Sequence, residues 1–262
     1  MDPGQRMDVT ATWTRERPPT APVQRTRPRR RRWLRRLLGA VLTLVVLVAL
    51  LLAAGWVLTP SVDDASNRVA AQLDAHHAPA LRGDVPAKLA AALTATEDSR
   101  FFHTPGVDPL GMIREPLGAI TGHDAGGATL EQQLAKNLYE QQHGSLLAKG
   151  AEVVLALKLD RAWTKQQILR MYVDDGYYGH GFYGLTEASH GYFGVEPEQL
   201  TWAQASLLAG LFQAPSAYDP IEHPDRARAR QVHVLDRLVA TGHLTRAEAD
   251  RVAKESWALV GH

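Results

Sequence analysis

Cysteine is absent from all 262 residues. That absence excludes disulfides, thiolate metal sites and a cysteine nucleophile, though it does not separate cytoplasm from cell envelope. There is no strand-rich region and no internal repeat. An excess of charge of one sign is also missing, since the formal net charge is +1. The balance is uneven, however. Arg25, Arg27, Arg29, Arg30, Arg31, Arg32, Arg35 and Arg36 crowd the N-terminal tail, so the remainder is acidic on balance.

What is present begins with that tail, which is rich in Pro, Thr and Arg and has no hydrophobic periodicity. It reads as disordered. An apolar run without charge follows from Leu37 to Leu58, roughly 22 residues and long enough to span a bilayer. Trp33 and Trp56 are placed like interfacial anchors. The arginines are expected to stay on the cytoplasmic side, which puts the C-terminal part outside. A cleavable signal peptide is the rival reading, but its apolar core is usually about 7–15 residues. Anionic lipid accounts for the arginines without a nucleic-acid partner. The expected organisation is a basic cytoplasmic tail over 1–36, a transmembrane helix over 37–58, a polar, partly helical stalk over 59–84 and a folded domain over 85–262. Roughly 200 residues outside the tail and span suffice for one sizeable domain.

Within that domain, Pro86 opens a helix that leads to Glu97-Asp98, just before Phe101-Phe102. A carboxylate beside apolar rings is where desolvation raises a pKa and makes a useful base. Solvated helix-end charges beside core phenylalanines are the plainer reading. Pro105-Gly106 breaks the chain. The apolar stretch Leu110 to Ile120 reads as a mobile or membrane-facing segment, or as an ordinary packed loop. Thr129-Leu130-Glu131-Gln132 fits a capping box. On the helix it starts, Leu130, Leu134 and Leu138 share one face, and Gln133, Lys136 and Asn137 form a second, polar one. Such a face is usually solvated, but a lysine between two amides also suits a phosphate or sugar acid. Lys149 and Glu152 stand one turn apart on the next helix, a spacing that also suits a plain surface ion pair. Thr164 caps a further helix that ends at Asp175-Gly176. The Gly/aromatic run from Tyr177 to Gly184 suits a loop lining a groove. Helices are expected over Leu185 to Tyr192, Thr201 to Leu211 and Arg226 to Thr241, with a short one after the capping box at Leu244 to Glu248.

Together these residues resemble the peptidoglycan glycosyltransferase family, the penicillin-binding-protein type transglycosylases (family 51 of the glycosyltransferases). The likeness runs from about Val85 to Tyr218. Its first part is Glu97-Asp98 with Phe101, Gly106 and Asp108. The most specific part is Gly126-Gly127-Ala128-Thr129-Leu130-Glu131-Gln132-Gln133-Leu134-Ala135-Lys136-Asn137-Leu138. Lys149 with Glu152, Lys165 to Leu169, Tyr177-Tyr178-Gly179, Tyr183-Gly184, Tyr192-Phe193-Gly194 and Ala205 to Leu211 follow in the family's order.

The resemblance implies an all-α, lysozyme-like fold with a small, mobile, membrane-facing lobe, preceded by one transmembrane helix. It implies polymerisation of lipid II into glycan strands with inversion at the anomeric centre, at the plasma membrane of a bacterium. Lipid II, the growing strand, the bilayer and cell-wall synthesis proteins are the implied partners. Glu97 would be the general base. Glu152 would help catalysis by organising the pyrophosphate, through a divalent metal, Mg or Mn. Asp98, Phe101, Thr129, Gln133, Lys136, Asn137 and Lys149 would contact or support substrate.

The departures from the family's pattern are Thr104 in place of a histidine, Ala148 in place of an arginine, and Glu131 in place of a threonine. Glu131 would bring a negative charge near an anionic substrate. Arg170 and Asp174 stand where Glu and Asn are common. These departures keep a catalytically silent scaffold in view, and the fold keeps a lysozyme-like, glycan-cleaving enzyme in view. No Ser-x-x-Lys or Lys-Thr-Gly sequence occurs, so the expected form is monofunctional, without a transpeptidase domain.

Overall fold

The computed structural model describes residues 29–109, 111, 128–139 and 146–261. Among these are ten α-helices, one 3-10 turn and a single isolated β-bridge, Tyr177 with Tyr183. The fold is all-α, as expected. The chain divides into two units, Met1–Ala49 and Leu50–His262.

Helix α1 runs Arg29–Leu58. It starts before the expected Leu37 because arginine favours helix almost as well as leucine. Its stretch Trp33–Leu58, whose most apolar 18 residues have mean hydropathy 3.0, is long and apolar enough to cross a membrane. Leu38 and Leu42 are 67% and 65% exposed, a poor arrangement in water. Pro60 stops the helix. Beyond it, Lys158 Nζ donates to the carbonyls of Thr59 (2.9 Å) and Pro60 (3.0 Å) and lies over the Trp56 ring.

The stretch 59–84 is not a stalk. Helix α2, Ala65–Ala75, buries Ala65, Val69 and Leu73, and Val62, Ala78 and Leu81 are buried in the same core. The i, i+4 spacing of small and branched residues makes a narrow apolar face that packs on helix α6, Lys165–Asp175. Leu81 is held at both ends of its backbone. Its N–H donates to the Asp174 carboxylate at 3.2 Å, and its carbonyl accepts from Arg170 Nη2 at 2.6 Å. Arg170 and Asp174, unusual for the resemblance, thus clamp a strand of backbone that the sequence alone left unpacked. Burial pushes the Asp174 carboxyl up to about 6.

Helix α3, Ala87–Glu97, buries Leu89, Ala92, Leu93 and Ala95 against α8, Trp202–Leu211, and α9, Pro224–Ala240. Helix α8 is buried from Ala203 to Leu211 and mostly apolar all round, as a central helix must be, with Gln204 and Ser206 hydrogen-bonded inside. Helices α4, Leu130–Tyr139, and α5, Leu146–Ala162, pack on each other, and α4 also packs on α6. Helix α7, Leu185–Phe193, and α10, Arg246–Val252, complete the unit. Capping boxes start α6 at Thr164 and α10 at Thr245. The apolar stretch Leu110 to Ile120, apart from Gly111, lies outside the described residues, as do Met1 to Pro28.

Candidate active site

Glu97 is the last residue of α3. A carboxylate at a helix C-terminus faces the negative end of the dipole and needs compensation from elsewhere. Two side chains supply it. Gln133 Nε2 donates to Glu97 Oε2 at 3.3 Å, and Arg230 Nη2 lies 3.6 Å from Oε1. Arg230 gets close because α8 has glycine at 210, where a Cβ would stand 3.1 Å from Arg230 Cγ. Its Nε donates back to the Gly210 carbonyl at 3.3 Å. The ion pair is mostly buried, the two side chains being 10% and 17% exposed.

Helix α4 delivers the second half of the site. Leu130, Glu131, Leu134 and Ala135 are buried, while Gln133, Lys136 and Asn137 line a cavity of about 420 Å³. Tyr172, Asp175, Tyr177, Phe212 and Pro215 also line it. The amide of Gln133 is fixed at both ends, because Tyr172 Oη donates to its Oε1 at 2.8 Å. Asn137 Nδ2 donates to Asp175 Oδ2 at 2.7 Å, and Gln72 of α2 donates to the Asp175 carbonyl at 3.1 Å. Burial pushes the Asp175 carboxyl up to about 6, and its Oδ1 is buried with no hydrogen-bond partner among the described residues. Burial also holds the Tyr172 phenol well above its usual value, so it donates as a neutral group.

The other expected residues divide by depth. Asp98 is buried and accepts from the N–H groups of Leu130 (3.3 Å) and Arg100 (3.2 Å), so it fixes the first turn of α4. Burial raises its carboxyl above the usual range. Phe101 has no exposed surface and packs edge-on with Phe102 at 4.9 Å. Thr129 is 1% exposed, donates to the Gly106 carbonyl at 2.7 Å, and closes the expected capping box with Gln132. Phe101 and Thr129, both expected at the substrate, are buried here and hold the segment between Glu97 and α4. Gly106 has φ +73°, and a Cβ there would meet the Ala156 carbonyl oxygen at 2.6 Å. Only glycine permits that approach.

Glu131 is also corrected. It points inward with no exposed surface and pairs with Lys165. Lys165 Nζ further contacts Asp160 at 2.7 Å, the Thr104 carbonyl at 2.7 Å and the Phe101 ring at 4.8 Å. Burial pulls the Lys165 ammonium down, but its two carboxylate partners outweigh that and raise it, so it stays charged. Burial likewise raises the Glu131 carboxyl. The charge expected near substrate is thus neutralised inside the protein, and Thr104, 5% exposed, belongs to the same interior.

Glu152 is 5% exposed on α5, with Lys149 Nζ at 3.9 Å from its carboxylate. That is a half-buried pair rather than a plain surface one. The structure joins Gln133, Lys136 and Asn137 around one cavity; Glu97 is not a lining residue but is bonded to Gln133, which is, and neither Glu152 nor Lys149 lines the cavity. Arg230, Tyr172 and Asp175 were not foreseen. Tyr172 and Asp175 share one face of α6 at i, i+3, a signal open to inspection. Arg230 carries no such local signal.

Residues 66–239 match the family model described as Transglycosylase. The chain belongs to the transglycosylase family. The match begins inside α2, in agreement with the packing of that helix. The chain is 37% identical over 224 residues to a Cupriavidus necator protein (strain H16) that carries the transglycosylase name, covering 83% of this chain and 96% of the other. It is 35% identical over 190 residues to penicillin-binding protein 1F of Bacillus subtilis (strain 168), covering 72% and 27% respectively. For penicillin-binding protein 1A of Escherichia coli (strain K12) the figures are 38% over 180 residues, 68% and 21%. This transglycosylase thus spans nearly all of the first relative and about a quarter or less of the other two. The enzyme is a peptidoglycan glycosyltransferase, the class its ordered motifs resemble.

Proposed function

We propose that this transglycosylase polymerises lipid II into glycan strands, with Glu97 as general base. One observation carries the reading: the Glu97 carboxylate is tied through Gln133 to the cavity that Lys136 lines. A sugar hydroxyl is a weak nucleophile, so a positioned carboxylate must take its proton as the new bond forms. The acceptor 4-hydroxyl oxygen attacks the anomeric carbon of the lipid-linked donor from the face opposite the pyrophosphate. The anomeric carbon–oxygen bond to pyrophosphate breaks, its electron pair leaves with the lipid carrier, and the configuration inverts. The proton goes to Glu97. Lys136 faces the negative charge that develops on the leaving group, where a fixed cation is most useful. Asn137, held by Asp175, offers a further polar edge to the donor.

A divalent ion, Mg or Mn, is part of the proposal. A single nearly buried carboxylate, Glu152, suits an ion that takes its other ligands from water and a substrate pyrophosphate. When bound, such an ion would neutralise phosphate charge. The arginines at the start of α1 and the positive-inside tendency favour a cytoplasmic N-terminus and an extracytoplasmic catalytic unit. The departures that favoured a silent scaffold weigh less now, because Glu131, Thr104 and Asp174 are interior residues with structural partners. Ala148 alone still removes an expected cation.

The test is polymer formation from labelled lipid II by the detergent-solubilised chain with a divalent metal. Glu97→Gln is expected to lose about 10²–10⁴-fold in rate with little change in melting temperature. Undiminished polymer from that variant would remove Glu97 from the role of base.

A further inference from the structure

A second constellation lies on the loops that follow α6 and α8. His180 sits between Gly179 and Gly181, and all three have positive φ, with His180 at +53°. A histidine in the left-handed region costs about 1 kcal/mol or more, so the surroundings must hold it there. Its Nδ1 lies 3.3 Å from Asp219 Oδ2. Asp219 is almost fully buried, and its other oxygen accepts from the N–H groups of Ile221 (2.9 Å) and Glu222 (3.3 Å). The carboxylate is thereby locked with Oδ2 aimed at the imidazole. The carboxylate of Glu222 comes next, and the three donor atoms all lie within 4.8 Å of one another.

We propose that His180, Asp219 and Glu222 form a divalent transition-metal site, for Zn²⁺ or Mn²⁺, distinct from the Glu152 position. The donor set is one imidazole nitrogen and two carboxylates, which suits those ions. Metal–ligand bonds of about 2.1 Å in a tetrahedron put neighbouring ligand atoms about 3.4 Å apart. The His180–Asp219 separation already has that value. Glu222 is exposed and needs only a side-chain rotation to close the triangle, and water completes the shell. The backbone N–H donors on Asp219 act as the outer support that metal ligands usually require.

The site would join two walls of the cavity. The loop bearing His180 also carries Tyr177, and the loop bearing Asp219 carries Pro215, both cavity residues. The loops already touch, since a Cβ on Gly179 would meet the Pro215 carbonyl oxygen at 3.0 Å. A bound ion would staple them.

The test uses the full chain in detergent after chelation. ZnCl₂ or MnCl₂ is titrated in by calorimetry and by melting temperature. One-to-one binding with a saturable rise in melting temperature is expected. His180→Gly keeps the positive φ without strain and Glu222→Gln lies at the surface, so both are expected to fold. Each should weaken binding at least about tenfold and abolish the rise, while Glu152→Gln keeps it. No binding by the wild type, an undiminished rise in both loop variants, or loss of the rise in Glu152→Gln would each overturn the proposal. None of these readouts depends on glycan polymerisation.

Discussion

On α4, Glu131 and Lys136 are both charged, yet one is sealed against Lys165 while the other faces the cavity. The two regions differ in what their charges are free to meet. The Lys165 ammonium is surrounded from within by two carboxylates, a carbonyl and an aromatic face, although Glu131 Oε2 is buried with no hydrogen-bond partner among the described residues. Glu97 has Gln133 at 3.3 Å and Arg230 at 3.6 Å, and through Gln133 it adjoins the cavity that Lys136 lines. The first cluster turns its charges inward and holds the fold together, whereas the second adjoins a cavity into which Lys136 turns its charge.

That contrast can be broken from the interior first. Lys165→Met leaves Glu131 buried without its cation and is expected to cost about 3–5 kcal/mol in chemical denaturation. The double variant Glu131→Leu, Lys165→Met should recover much of the loss, since it removes the fully buried carboxylate with its cation and leaves only Asp160, the more exposed partner. On the cavity side, Lys136→Met is expected to lower the polymerisation rate about 10²–10³-fold while leaving the denaturation midpoint in place. A large stability loss there would erase the distinction between the two clusters. Arg230→Met removes the cation beside the Glu97 carboxylate, which shifts its position, and a fall in rate of up to about a hundredfold is expected. Saturating lipid II should not restore it if Arg230 acts on the position of Glu97 rather than on binding.

The smallest effect sharpens the comparison through pH. Asp175 has a folded-state pKa raised to about 6 by burial, above its ordinary value. The folded state therefore holds its proton more tightly than the unfolded chain. The stability this group contributes is full below the ordinary carboxylate range and is lost as pH rises to about 6. Asp175→Asn keeps an acceptor for Asn137 and removes the buried charge. It should melt higher than the native chain at pH 8, by on the order of 2 kcal/mol. The gap should close as the buffer is taken from pH 7 to pH 4. A gap independent of pH would mean that Asp175 is not the titrating group.

The parts of this molecule that were legible in advance are those in which cause and effect lie within a turn or two of chain. Thr129 with Gln132, and Thr164 with Gln167, were readable as caps because the partners are three residues apart. Gln133, Lys136 and Asn137 were readable as one face because helical period places them there. The segment from Val62 to Leu81 was misread because its apolar face is narrow and its polar neighbours dominate the composition. Glu131 was misread because period shows which residues share a face but not which face turns inward.

The amino-acid order alone determined the helical periods, the caps, the bilayer-length apolar run and the ordered motifs, since each is a short-range property of the chain. Tertiary structure alone decided that Glu131 is neutralised by Lys165, that Phe101 and Thr129 are interior supports, and that Arg230 reaches Glu97 across the gap left by Gly210. Those outcomes depend on which helix lies against which. Burial and pairing of charge are set by neighbours distant in the chain, and no local pattern carries that information.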